Sequence, residues 1–209
     1  LTLWVLDASV NVSMEPFRTA APKDAAGAGH RIHCYLLERL YTFAWPQPAP
    51  TSDCIDAVLA SPCDNLIDAM DRIVSLQQLA GHPGLRKAAK VIERTRNILR
   101  GAPLRQPQVD PARLAEPPER KLWDVYASNH ERVERLAAER SYGEATTLFG
   151  ELFFEPLHEF FDRVLVNVPD EPLQQNRLAL MQAIHTLYTA RIADLSKLTL
   201  LQREEIPLT

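Results

Sequence analysis

Proline placement constrains this chain more than any other feature. Sixteen prolines are spread over 209 residues that hold only seven glycines. A proline lacks the backbone donor and clashes with the turn before it, so it starts or stops helices and stays out of central strands. The prolines here mark seams between segments whose apolar residues recur every three or four positions. Residues 30–45 form one such segment, with Ile32, Tyr35, Leu36, Leu40 and Phe43 at helical spacing, and Pro46, Pro48 and Pro50 end it. Ser52 is expected to cap a helix over 53–60. Ser61-Pro62 pairs a capping residue with a proline suited to the first helical position, which predicts a helix to about Ala80. Gly81-His82-Pro83-Gly84 stops it, and a further helix runs from Leu85 until Gly101-Ala102-Pro103.

Residues 106–120 read as a proline-rich connection with one short turn. Two helices are predicted next, at about Pro118–Ser128 and Glu131–Glu139. Ser141 and Glu144 have capping-box spacing and should open a long helix that Pro156 kinks or divides. That helix carries Leu148, Leu152, Phe160, Phe161, Val164 and Leu165. A turn at Val168–Pro172 leads to a last helix, Leu173–Thr189, with Leu178, Met181, Ile184, Leu187 and Tyr188 on its core side. Residues 1–17 read as a short helix ended near Pro16, followed by a turn-rich linker, and 203–209 read as unstructured. No segment alternates as a half-buried strand would. The expectation is an all-α fold, a bundle of short-looped antiparallel helices. Its core should contain Leu36, Leu40, Ile55, Leu66, Ile73, Ile92, Leu99, Leu148, Phe161, Leu178 and Ile184. Starting inside an apparent helix, the chain reads as part of a longer polypeptide.

The formal net charge of −4 excludes wholesale wrapping by nucleic acid and confines any such contact to a patch. The segment Leu85–Ala102 inverts the local charge, with six cations against the single acid Glu93. Wound at 3.6 residues per turn, Leu85, Ala88, Ile92, Thr95 and Leu99 share one side, with Val91 and Ile98 beside them. Arg86, Lys90, Arg94 and Asn97 lie opposite, flanked by Lys87 and Arg100. Arg96 falls at the apolar edge and should be partly buried against a carboxylate or a carbonyl. A basic helix on an acidic chain points to a polyanion. From the residues alone, a solvated surface helix and a helix that docks on an acidic protein remain open alternatives.

Chemistry-bearing motifs are sparse. His30 and His33 have i, i+3 spacing but no supporting acid or cysteine, so a surface or capping role outweighs a metal site. His158 lies among phenylalanines without the second histidine of a zinc-protease motif, and packing is its expected role. His185 reads as a boundary residue. The pairs Asp53/Asp56 and Asp68/Asp71 read as solvated faces. Cys34, Cys54 and Cys63 lack metal-ligand spacing and read as reduced thiols, which suits an intracellular protein. There is no glycine-rich phosphate loop, no nucleophile elbow and no apolar run of membrane-spanning length. The fragment is therefore expected to be non-catalytic, without metal or cofactor of its own.

The order of several short motifs carries a resemblance. Arg94-Thr95-Arg96-Asn97-Ile98-Leu99-Arg100 is followed by Val109-Asp110-Pro111 and by Glu116-Pro117-Pro118-Glu119-Arg120-Lys121-Leu122. Phe160–Val166, Asn176-Arg177-Leu178-Ala179-Leu180 and Ile192-Ala193-Asp194-Leu195-Ser196 complete the series, and Leu37–Leu40 and Asp53–Ala60 fit upstream. Over roughly residues 31–198 this series resembles the C-terminal region of the β subunit of bacterial-type glycyl-tRNA synthetase. The resemblance implies a helical anticodon-binding domain similar to that of arginyl-tRNA synthetase. The main rival is the helical protein-interaction module whose basic helix docks on an acidic protein; an arginyl-type domain is the second, but the ending Ala190-Arg191-Ile192-Ala193-Asp194-Leu195 differs from that family's. A degraded metal-dependent hydrolase is a more distant one. Residues 1–30 would then close a preceding helical domain, 31–198 would hold the anticodon-binding domain with a core of about 62–198, and 199–209 would be a tail. The family is an α2β2 cytoplasmic enzyme (an organelle stroma is the variant if a transit peptide was removed). Its α subunit uses ATP and Mg to activate glycine, and its β subunit grips the glycine tRNA. Arg86, Lys87, Lys90, Arg94, Asn97 and Arg100 are the candidate RNA-binding residues, with Asn97 best placed to read a cytosine edge. The family often has Asn-Lys-Arg where this chain has Ile92-Glu93-Arg94, so only Arg94 and Asn97 carry over.

Overall fold

A computed structural model describes residues 35–63, 65–101 and 108–199. The expected N-terminal helix and linker, His30, His33, Cys34 and most of the 199–209 tail lie outside these residues. Among the described residues the secondary structure is wholly helical. Six α-helices appear in order: α1 Ser52–Leu59, α2 Leu66–Gln78, α3 Pro83–Leu99, α4 Pro117–Ala138, α5 Tyr142–Arg163 and α6 Glu171–Thr189. Single 3-10 turns stand at Arg39–Thr42 (η1), Pro111–Arg113 (η2) and Leu195–Lys197 (η3).

Helix α5 is the centre of the bundle. It packs against α3 on one side and α4 on the other, and α6 closes the group by touching both α3 and α4. Phe149, Phe153, Leu157 and Phe160 of α5 are fully buried, as are Leu85, Ala88 and Ile92 of α3 and Leu178, Met181, Ile184 and Tyr188 of α6. The tyrosine hydroxyl could not be buried alone. It shares a 2.7 Å hydrogen bond with the Thr146 hydroxyl, which also reaches the Tyr142 carbonyl.

Helices α3 and α5 cross at two glycines. A Cβ on Gly150 would collide with the Gly84 carbonyl oxygen and lie 2.8 Å from the Ala88 nitrogen. A Cβ on Gly84 would lie 3.1 Å from the Thr147 Cα. At Gly150 the obstruction is backbone, so no side-chain rotation relieves it; at Gly84 the Thr147 and His82 side chains, at 2.9 and 3.0 Å, come nearer still.

A buried polar node ties α4 to α6. Glu119 is wholly buried and Arg177 is 5 % exposed, and the two form a charge-assisted hydrogen bond. The second Glu119 oxygen accepts from the Glu116 backbone N–H at 2.9 Å, closing the first turn of α4. Arg177 donates again to the Leu165 carbonyl at 2.8 Å. One residue earlier, Asn176 bonds both backbone groups of Asp110, accepting at 2.7 Å and donating at 3.0 Å. Three of the sequence motifs, at 109–111, 116–122 and 176–180, therefore meet in one place.

Several boundaries differ from expectation. Residues Pro117–Ala138 form one helix rather than two, because nothing at Asn129-His130 breaks the ladder: Asn129 and His130 each bond the carbonyl four residues back. Pro156 neither ends nor divides α5; it is buried on the core face of a helix that continues to Arg163. Helix α2 starts at Leu66, capped by the Asn65 side chain on the Ile67 and Asp68 amides, so Ser61 and Pro62 lie before it. Thr51, not Ser52, is the N-cap residue of α1. Ser141 makes no side-chain cap; the reciprocal cap belongs to Glu116 and Glu119 instead. Helix α6 begins earlier, at Glu171, where Asp170 accepts from the Leu173 amide. The segment before Pro46 leaves the helix after Thr42, and Tyr35 and Phe43 are exposed rather than core. Of the expected core residues, Leu36, Leu99, Leu148 and Phe161 are partly buried against its edge, and the other seven are buried within it.

Two stability outcomes follow from the crossing and the node. Gly150→Ala should destabilise the fold by about 1–3 kcal/mol despite alanine's better helix propensity, because the backbone of α3 must move. Glu119→Leu or Arg177→Met alone should each cost about 3–5 kcal/mol by leaving a buried charge unpaired, and the double replacement should recover most of that loss. Urea denaturation of the four variants checks both. An unchanged midpoint for Gly150→Ala, or strictly additive losses at the node, would contradict this packing.

Candidate nucleic-acid interface

Helix α3 is set by its start. His82 accepts the Gly84 amide through Nδ1 at 3.0 Å, and Pro83 occupies the first helical position. Leu85, Ala88, Ala89, Val91, Ile92 and Thr95 are buried, so the apolar side of the helical wheel is also the packed side. The cations are consequently sorted by their distance from that side.

Arg86, Asn97 and Arg100 are exposed. Lys90 is half-buried and forms a 3.0 Å ion pair with Glu93 one turn on, so the acid on this face has its own partner. Arg94 and Lys87 do not simply face solvent. Arg94 turns onto α5, where its Nη1 donates to Nδ1 of His158 at 2.8 Å. The other His158 ring nitrogen lies 3.5 Å from the Asp162 carboxylate. The Lys87 ammonium sits 5.9 Å over the Phe154 ring, which in turn lies parallel to the His158 ring. His158 is thus a polar partner of α3 rather than the packing residue expected of it. The sequence carries a weak sign of this: Phe154, His158 and Asp162 recur every four residues along one edge of α5. Which helix that edge meets is not readable from spacing.

The opposite flank of α3 is structural. Arg96 is half-buried, as predicted, but its partner is a hydroxyl: Nη1 donates to Ser196 Oγ at 2.6 Å. The Ser196 hydroxyl donates in turn to the Asp194 carboxylate at 2.6 Å, and the Asp194 amide bonds the Ala57 carbonyl of α1 at 2.8 Å. Thr95 lies 3.0 Å from Nδ1 of His185 on α6. Burial lowers the His185 pKa below the ordinary imidazole value; Asp194 opposes this and Arg96 adds to it.

The aspartate pairs are not merely solvated. Asp68 accepts from the Tyr142 hydroxyl and pairs with Arg72, and Asp71 pairs with Arg140 at 3.2 Å. Asp56 accepts from the Tyr41 hydroxyl, and burial together with that carboxylate pushes the tyrosine pKa up to about 12. Asp53 holds Thr199 through its backbone amide and hydroxyl at 2.9 and 2.7 Å. These contacts occupy the carboxylates in tertiary tethers. Among the described residues no group of three or more His, Cys, Asp or Glu side chains could hold a metal ion. No described helix is long and apolar enough to cross a membrane.

The surface is thus one face of α3 rich in Lys and Arg, backed by a helical bundle, with aromatic rings of α5 alongside. Comparison with known proteins identifies the domain that carries this surface. Residues 89–191, from the middle of α3 to just past α6, match the DALR anticodon binding domain. Over its length the chain is similar to proteins named glycine–tRNA ligase beta subunit. It is 30% identical to that of Acidobacterium capsulatum over 201 residues, which are 92% of this chain and 28% of the relative. For Dichelobacter nodosus the identity is 33% over 177 residues, 83% of this chain and 25% of the relative. For Desulforudis audaxviator it is 33% over 143 residues, 68% and 20%. The chain belongs to the glycine–tRNA ligase beta-subunit family and carries its DALR anticodon-binding domain. It spans about a fifth to somewhat over a quarter of the length of these relatives.

The environment of His185 generates a pH dependence. A histidine held neutral in the fold binds more protons when unfolded, so stability rises with pH across the interval between the lowered folded pKa and the ordinary value of about 6.5. Its contribution is fully present above that ordinary value and is lost as pH falls below it. Melting temperature should drop on acidification from pH 7 toward pH 5, and His185→Gln should flatten that part of the profile. An unaltered slope in the variant would show that His185 does not carry the effect.

Proposed function

We propose that this chain is the anticodon-recognising part of a glycine–tRNA ligase beta subunit, with α3 as its RNA-facing helix. The observation that carries the reading is a coincidence of place. The stretch matching the anticodon-binding family starts within α3, and α3 also bears the cation-rich surface of an acidic chain. In the whole enzyme this part would support ATP-dependent attachment of glycine to its tRNA in the cytoplasm. ATP, Mg and the aminoacylation site would reside in an α subunit of an α2β2 assembly. The fragment itself would only bind and select.

The chemistry fits single-stranded RNA. A loop is read by splaying its bases onto side chains while cations hold the backbone. Arg86, Lys87, Lys90, Arg94 and Arg100 supply the cations. Asn97, exposed between Glu93 and Arg100 on the same stripe, supplies an amide with both donor and acceptor. Glycine anticodons share two cytosines, whose edges such an amide can pair.

Titration of the assembled α2β2 enzyme with glycine tRNA, and with the same tRNA altered at those two cytosines, tests the reading. Lys90→Ala should weaken both complexes alike and flatten the log–log salt dependence by roughly 0.7 for a single-stranded contact. Asn97→Ala should instead lose about 1–3 kcal/mol of discrimination between the two tRNAs. Equal affinity for both tRNAs, with both variants indistinguishable from the parent, would remove α3 from the RNA interface. It would favour the alternative, a basic helix that docks on an acidic protein.

A further inference from the structure

Among the candidate RNA contacts, Arg94 has its guanidinium held by a side chain of another helix, through a 2.8 Å hydrogen bond to His158. An arginine is only a donor, so Nδ1 of His158 must offer its lone pair, which places the ring proton on Nε2. That proton points toward the Asp162 carboxylate 3.5 Å away. The ring is thereby held in one tautomer, with its acceptor toward α3. Of the five N–H donors of the guanidinium, this bond engages one and orients the plane of the rest. Two turns earlier on α3, the Lys87 ammonium is held over Phe154, four residues before His158. The two cations, about 10 Å apart along the helix axis by the rise per residue, each have an α5 ring beside them. An unrestrained arginine loses rotamer freedom when it binds; one already oriented loses less.

We infer that the RNA-binding surface is the seam of α3 and α5 rather than α3 alone, and that His158 is a positioning residue which presents the Arg94 guanidinium to the phosphate backbone of the tRNA loop. This rests on the reading of α3 as the RNA-facing helix. The Asp162 carboxylate lies 3.5 Å from Nε2, on the protonated side of the ring. The expected partner group is a phosphodiester, so the effect is on affinity for any glycine tRNA and not on discrimination between anticodons.

The test is made in the assembled α2β2 enzyme, with glycine tRNA and its cytosine-altered form at two salt concentrations. His158→Phe keeps a ring and removes the acceptor. It should weaken both complexes by on the order of fivefold, as Arg94→Ala does, and the double variant should be no worse than either single one. His158→Asn places an amide oxygen near the position of Nδ1 and should restore affinity. Arg94→Lys keeps the charge but not the planar fork. It should bind as weakly as His158→Phe, and it tests the same point if that variant is unstable. Melting curves separate loss of fold from loss of contact. If Arg94→Ala weakens binding while His158→Phe or Arg94→Lys does not, the positioning role is wrong and the RNA-facing reading of α3 stands. If His158→Asn fails to rescue, the histidine acts through its bulk, and the inference is overturned. If Arg94→Ala itself binds normally, the inference fails, and Lys90→Ala and Asn97→Ala decide the wider reading separately.

Discussion

The close crossing of α3 and α5 is the contact on which the candidate site depends. Helices whose side chains interdigitate normally sit about 8–10 Å apart. Gly84 and Gly150 remove the side chains at the crossing and let backbone meet backbone. Everything along the seam then acquires its register from that point. With Gly150 seated on Ala88 and Lys87, the next residues along α5, Phe154 and His158, fall beside Lys87 and Arg94. A crossing displaced by one turn would bring different residues to the cations. A packing constraint with no chemistry of its own thus sets the chemistry of the surface.

The buried node at the other end of the bundle solves a different problem. Glu119 and Arg177 are costly to bury, and their attraction roughly offsets that cost only when the remaining donors and acceptors are also met. Here the Glu116 amide meets the second Glu119 oxygen, the Leu165 carbonyl accepts a further Arg177 donor, and Asn176 bonds Asp110 alongside. Such a node contributes little net stability but penalises any arrangement in which α4, α6 and the 108–114 segment are out of register. In the described part of the connection after α3, Leu114 is buried in the core and Val109 packs against it. Bonds from Asn176 to the Asp110 backbone, and from Arg120 to the Leu114 carbonyl at 2.7 Å, anchor its main chain as well.

Helix α3 divides its cations between two tasks. Arg96 and Thr95 look inward to η3 and α6, through Ser196 and His185, and bind the end of the described chain to the middle of the bundle. Lys87 and Arg94 look toward α5, and Arg86, Asn97 and Arg100 look outward. The two flanks of one amphipathic helix are thereby separated into an edge tied to η3 and α6 and an edge that meets α5 and solvent. Burial on the structural side lowers the pKa of His185; on the other side, Nδ1 of His158 accepts from Arg94.

Periodicity and punctuation in the sequence alone determined the class of the fold, because helix formation and helix ending are governed by neighbours three or four residues away. The buried face of α3, the half-burial of Arg96 and the core positions Ile55, Ile73, Ile92 and Ile184 were all legible on that basis. The order of motifs pointed to the family for the same local reason, since each motif is a short run. Local rules failed where a long-range partner intervened. Ser141 looked like a cap, yet the reciprocal cap belongs to Glu116 and Glu119, the latter paired with Arg177 fifty-eight residues away. His158 looked like packing because its partner Arg94 is sixty-four residues distant. Only the tertiary structure could decide these, because the identity of a side chain's partner depends on which helix lies across from it. That choice was made by two glycines at a crossing, whose meaning is invisible until the backbones are brought together.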